Sequence, residues 1–248
     1  MNRFKKYSVL FMVIVMMLSV CVHAAEPEQA PVTEPKKLVA LTFDDGPDAK
    51  MTEPVLDVLE KYGVRATFFL LGCKINETTA PLVERTLSLG CEVGYHGYEH
   101  RNMTKISLEM IQKQIRQFMA VWDTYMQIPA PIKLVRAPGG NSNKKVLRAV
   151  GELGYAMVLW EVDSADWKVQ IAEKINATVQ KKVQDGSIVL MHDRHRPTVD
   201  ALELLIPSLL EQGYEFVTVS ELLTRNGDEI EAGKEYRFMR LAETAAIN

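Results

Sequence analysis

The sequence predicts an α/β protein: a parallel sheet with helices outside it, rolled into a closed or nearly closed barrel. Three observations carry that expectation. Short apolar runs alternate with helical patterns from Lys37 onward. Glycines stand where the helices should stop, at Gly63, Gly90, Gly154, Gly186 and Gly213, because glycine adopts the left-handed conformation of a helix end cheaply. Titratable residues follow several of the apolar runs, and parallel α/β folds gather function at the ends of their strands.

Leu38-Val39-Ala40-Leu41-Thr42-Phe43 reads as a buried strand, stopped by the turn pair Gly46-Pro47. Thr52-Glu53-Pro54 opens a helix expected over 52–61. A strand follows at 67–71, a helix at 79–89 and a strand at 91–96. The long helix at 107–127 starts at Ser107, which with Met110 makes a weak capping box. Strands at 132–136 and 155–160 flank a helix at 143–153. A helix at 170–184 leads to a strand at 187–191, a helix at 198–212 to a strand at 214–217, and a short helix at 219–224 ends the alternation. Alternation alone does not decide whether the sheet closes. The domain is expected over 37–224, and the polar, charged segment 225–248 is expected to be a loosely attached tail or a final helix.

With 248 residues, 47% of them hydrophobic, the chain suits one sizeable domain with a full core. A net charge of −3 with scattered Lys and Arg excludes a nucleic-acid surface, which needs clustered cations against phosphates. The N-terminus reads as an export signal over 1–24. Its basic start, Asn2 to Tyr7, precedes an apolar run from Ser8 to Val22 that is short for a membrane span, and Val22-His23-Ala24 suits cleavage after Ala24. An uncleaved anchor is the alternative, and lipidation at Cys21 fits less well because Val20 is bulky. A Pro- and Glu-rich linker follows over 25–36. A secreted or cell-envelope location is therefore expected. Cys73 and Cys91 are expected to stay unpaired, because a parallel sheet puts them at opposite ends of their strands, beyond the roughly 7 Å that a disulfide spans between Cα atoms.

Asp44 and Asp45 close the first strand side by side. Buried carboxylates are costly unless they are compensated. A cation or a catalytic task compensates them, and so does a turn in which they bond their own backbone. His96 and His100 follow the third strand at the i, i+4 spacing that aims two imidazoles at one cation, although two surface histidines share that spacing. Two histidines and one aspartate leave coordination positions open for water and substrate, as in catalytic sites. The fourth strand ends in Arg136-Ala137-Pro138-Gly139-Gly140, the fifth leads into Glu161-Val162-Asp163-Ser164-Ala165-Asp166-Trp167, and the sixth ends in Leu190-Met191-His192-Asp193. His192 suits a general acid, with Asp166 as its partner, or a core histidine satisfied by backbone. Arg136 suits an ion pair with Asp44, catalytic or structural.

These segments, in this order, resemble the five motifs of the polysaccharide deacetylases with a NodB-type domain, carbohydrate esterase family 4. Thr42-Phe43-Asp44-Asp45-Gly46-Pro47 matches the first motif without a substitution, and the resemblance covers Lys37 to about Leu223. It implies a distorted (β/α) barrel, commonly of seven strands. It implies that Asp44 is the general base, that Asp45, His96 and His100 hold a divalent metal, usually Zn2+ with Co2+ or Mn2+ as alternatives, and that His192 is the general acid tuned by Asp166. Arg136 would orient Asp44, the Gly139 N–H would donate to the oxyanion, and Trp167 and Leu190 would line a pocket for the acetyl methyl. Three residues depart from the pattern: Tyr95 where Asn is common, Gly97 in place of Ser or Thr, and Gly139 in place of an aromatic residue. They point to changes in substrate subsite or metal affinity, since every protic and ligating group is kept. The activity implied is removal of acetyl groups from N-acetylglucosamine in a polysaccharide, peptidoglycan first and chitin oligomers second, by a monomer that touches membrane only through an uncleaved export segment. An O-acetyl xylan esterase and a catalytically silent glycan-binding domain are the alternatives.

Overall fold

The computed structural model describes residues 36–241. The export signal, nearly all of the linker and the last residues of the tail lie outside them. The described chain forms nine strands: β1 (Lys37–Gly46), β2 (Thr67–Leu71), β3 (Glu92–Gly97), β4 (Leu134–Val135), β5 (Ala156–Val158), β6 (Val162–Asp163), β7 (Ser187–His192), β8 (Tyr214–Phe216) and β9 (Glu235–Tyr236). Seven α-helices lie between them: α1 (Thr52–Tyr62), α2 (Ala80–Ser88), α3 (Leu108–Tyr125), α4 (Lys144–Gly151), α5 (Ala172–Lys182), α6 (Arg196–Glu211) and α7 (Val219–Leu223). The strands pair in the order β6-β7-β1-β2-β3-β4-β5-β9, with β8 against the start of β1, and every ladder is parallel. The parallel sheet with helices around it is as the alternation predicts, and the sheet curls into a half-barrel.

Strand alternation sorts the side chains into two layers. Val39, Leu41 and Phe43 of β1 are fully buried in the larger apolar cluster, together with Val55, Leu56 and Leu59 of α1. Ala40 faces the other way, into a smaller cluster with Phe69, Leu134, Val158 and Ile188, and α7 adds Val219, Leu222 and Leu223 to it. That cluster fills the barrel interior. Gly94 belongs to this packing, because a Cβ there would stand 2.5 Å from the Phe69 ring.

Three features differ from the sequence expectation. The expected strand at 155–160 is shortened to β5, and a separate two-residue strand, β6, follows it and pairs with β7 at the other end of the sheet. The segment expected as a loose tail or a helix instead supplies β9, which pairs with β5, and Phe238 bridges to Ser187 at the start of β7. Arg240 adds a 2.6 Å ion pair to Glu161. Thr52 does not cap α1. Asp48 accepts from the N–H groups of Lys50 and Met51, while the Thr52 hydroxyl donates to the buried Asp193. The Ser107 cap is real, its hydroxyl accepting from the Met110 N–H at 3.2 Å. Cys73 is exposed, Cys91 is buried, and both are unpaired as expected.

Candidate active site at the carboxyl ends of the strands

Adjacent residues of a regular strand point to opposite faces, so Asp44 and Asp45 should not share a site. A bulge in β1 resolves the conflict. Asp44 registers with Phe69 and Gly46 with Leu70, so Asp45 is skipped, and its backbone turns left-handed at φ 74°. Bulges re-aim side chains in this way, at a cost of order 1–3 kcal/mol for such a backbone. Both carboxylates thereby reach one cleft.

Arg136 lies beneath this turn, fully buried. Its NH1 donates to Asp44 Oδ1 and to the Thr42 hydroxyl, each at 2.7 Å. Nε and NH2 donate to the carbonyls of Val158 (3.2 Å) and Leu159 (3.0 Å), and the guanidinium stacks 4.1 Å from the Phe69 ring centroid. A buried cation held by this many acceptors fixes its carboxylate partner in place.

His96 donates from Nδ1 to the Arg136 carbonyl at 2.9 Å, which leaves Nε2 as the lone-pair nitrogen. That Nε2 stands 3.5 Å from Asp45 Oδ1 and 3.6 Å from Asp44 Oδ2. His100 Nε2 is also 3.5 Å from Asp45 Oδ1. One donor atom from each of Asp45, His96 and His100 lies within 4.8 Å of the others, and Asp45 Oδ1 is buried with no hydrogen-bond donor. Burial pushes the Asp45 pKa up. His96, Arg194 and His100 outweigh it and hold the carboxyl well below the usual range. Burial pushes His100 down, favouring the neutral ring. An orphaned carboxylate oxygen between two imidazole nitrogens is a donor set that fits a divalent cation.

On β7, beside Asp44 in the ladder with β1, His192 Nδ1 pairs with Asp166 Oδ1 at 2.8 Å. Asp166 Oδ2 accepts from the His192 N–H (2.7 Å) and from the Thr198 hydroxyl of α6 (2.9 Å). Burial alone would lower the His192 pKa, but the hydrogen bond and charge of Asp166 reverse this and raise it.

Eight of the residues singled out in the sequence line the cleft: Asp44, Asp45, His96, His100, Gly139, Trp167, Leu190 and His192. Arg136 and Asp166 sit behind it, each bonded to a residue that does line it. The cleft, of about 430 Å3, is open to solvent. Trp167 stands 54% exposed at its edge, while Leu190 is buried beneath it. Trp160 also lines the cleft and was not singled out, and Asp163 lines it too, a residue that opens a motif segment but was given no role. An aromatic residue at a strand end is ordinary core material by sequence, so Trp160 carried no signal. Arg194 and Thr198 touch functional side chains and were equally invisible, since a lone charge in a loop or a hydroxyl on a helix is common, while Thr42, which opens the first motif, was given no role although its hydroxyl accepts from Arg136.

Fold and cleft place the chain among the (β/α)-barrel proteins whose working residues sit at the carboxyl ends of the strands. The particular family is given by sequence. Residues 32–158 match the pattern of the family described as polysaccharide deacetylase, and the chain belongs to that family. The peptidoglycan-N-acetylglucosamine deacetylase PgdA of Listeria monocytogenes is 39% identical over 209 residues, which is 84% of this chain and 43% of that protein. The chain thus spans under half the length of that relative. A peptidoglycan-N-acetylglucosamine deacetylase of Bacillus cereus is 39% identical over 193 residues, covering 76% of this chain and 89% of that protein. Among solved structures, a family 4 acetyl xylan esterase from Clostridium thermocellum in complex with a cobalt ion superimposes with a TM-score of 0.76 at 37% identity, covering 83% of this chain and all of that one.

Proposed function

We propose that this protein is an exported, metal-dependent hydrolase that removes the N-acetyl group from N-acetylglucosamine residues of peptidoglycan. The observation that carries the reading is one cleft lined by two protic groups, Asp44 on Arg136 and His192 on Asp166, together with the Asp45–His96–His100 donor set. Peptidoglycan is favoured over other acetylated glycans because relatives covered over most of this chain are named for it. Export and an envelope location rest on the N-terminal signal pattern.

Asp45, His96 and His100 would hold the cation, with zinc favoured by two imidazoles and one carboxylate and cobalt or manganese as alternatives. When bound, it supplies Lewis-acid polarisation of the acetamide carbonyl and of a water. Arg136 occupies Asp44 Oδ1, so Oδ2 is the oxygen that takes the proton of the attacking water. The Gly139 N–H donates to the oxygen on which negative charge develops. Asp166 holds His192 at Nδ1, so Nε2 carries the proton delivered to the departing amine. Acetate and a free amino sugar result, and the two side chains exchange their protons with solvent. Trp167 and Leu190 form the apolar wall against the acetyl methyl.

A substrate panel assayed by acetate release, with and without chelator, tests the reading. Release from N-acetylglucosamine polymers that chelator abolishes is the expected result. Release from O-acetyl xylan alone would make the protein an esterase, and no release from any substrate would leave a glycan-binding domain.

A further inference from the structure

The two oxygens of Asp45 are treated differently. Oδ1 is buried, faces both imidazoles and has no hydrogen-bond donor. Oδ2 accepts a 2.8 Å charge-assisted hydrogen bond from NH1 of Arg194. Arg194 lies in the loop between β7 and α6, two residues after His192, and its side chain is 46% exposed. β7 and β3 lie on opposite sides of β1 in the sheet, so Asp45 is gripped from the flank opposite the histidines. A free carboxylate turns about its last torsion and offers a cation either one oxygen or both. With Oδ2 pinned, only Oδ1 is presented to the histidine pair.

We infer that Arg194 is a positioning residue for Asp45, fixing it as a single-oxygen ligand and thereby setting the affinity and coordination number of the cation site. The inference rests on the metal-binding reading of Asp45, His96 and His100. Two effects of Arg194 oppose each other. Its charge repels a cation, while its hydrogen bond orders the ligand. Partners that orient a metal ligand typically contribute about 10–100-fold in affinity. The guanidinium is half in water, where its repulsion is screened. Ordering therefore wins.

The test is competition of zinc against a chromophoric chelator, with the purified full chain, for wild type, Arg194→Ala, Arg194→Gln and Asp45→Ala. Arg194→Ala should bind zinc about 10-fold more weakly or worse. Arg194→Gln, which keeps an N–H donor without the charge, should recover most of that loss. Cobalt(II) gives a readout independent of turnover. Its visible bands should weaken in Arg194→Ala as the second carboxylate oxygen joins the coordination shell, and should stay near wild type in Arg194→Gln. Without metal, Arg194→Gln should melt close to wild type, whereas Arg194→Ala leaves the buried Asp45 carboxylate with one partner fewer and should melt lower, so zinc affinities are compared at a temperature where every variant is folded. Zinc affinity in Arg194→Ala equal to or tighter than wild type overturns the role of Arg194 and leaves the cation site standing. Wild type that binds no more zinc than Asp45→Ala overturns both.

Discussion

Asp44 and His192 are both held by a buried partner, and the partners have opposite charge. The consequence for each differs. Asp44→Asn keeps the side-chain shape and the Arg136 contact but cannot accept the water proton. Turnover should fall about 10²–10⁴-fold while zinc affinity stays within a few-fold, and an unchanged rate would remove Asp44 from the base role. Asp166→Asn acts instead on pH. The raised pKa of His192 depends on the Asp166 carboxylate, so its loss returns the imidazole toward lower values. A general acid works protonated, so activity declines as pH rises through its pKa. The alkaline limb of the kcat/KM profile should therefore move to lower pH in Asp166→Asn, and a limb that stays in place would assign it to another group. These pairs were legible in the sequence because carboxylates and histidines at strand ends are costly without a purpose. Arg194 was not, because nothing in a loop composition says which carboxylate a flexible cation will reach.

At the scale of elements, the sequence located the helices well and the short strands poorly. The longer helices carry a period that their apolar residues repeat over several turns, and glycines stand at or just beyond the ends of α1, α2, α4 and α6. The β4 strand is only two residues long, β5 ends at Val158 although Leu159 and Trp160 beyond it are as apolar as the strand, and the two-residue β6 carried no strand signal. The turns were the least legible. The bulge that brings Asp44 and Asp45 to one cleft depends on the register with β2, which is a tertiary property. Gly97 shows the same dependence. The sequence marked it as a lost hydroxyl, whereas its φ of 124° and a Glu99 carbonyl 2.6 Å from where a Cβ would stand show that the backbone there requires glycine. This turn leads from His96 to His100. Gly97→Ala should thus shift His100 and weaken zinc binding several-fold, together with a loss of stability of about 1–2 kcal/mol from the forced backbone. Zinc affinity and melting temperature both matching wild type would show that the turn relaxes freely.

The whole molecule is stabilised unevenly with pH, and one buried group accounts for part of that. Asp193 is fully buried between the site strand β7 and the start of α1, packed against the Gly46 Cα. Its Oδ2 accepts from the Thr52 hydroxyl, its Oδ1 has no partner, and burial raises its pKa from 3.8 to about 7. The unfolded chain releases this proton at its ordinary value and the folded chain holds it until neutrality. Between those two values the unfolded state binds fewer protons, so this group makes the fold less stable as pH rises, with no further change above about 7. Asp193→Asn keeps an acceptor for Thr52 and has nothing to ionise. In urea unfolding from about pH 5 to about pH 8, the wild-type midpoint should fall relative to that of Asp193→Asn, and the gap should level off above neutrality. Other titrating groups, His192 among them, are common to both proteins and cancel in the difference. The same carboxyl backs the Gly46 turn that follows Asp44 and Asp45, so its protonation at mild acid pH and the ordering of that turn belong to one arrangement. A gap independent of pH would show that Asp193 meets water in solution and does not couple the barrel rim to the helix layer.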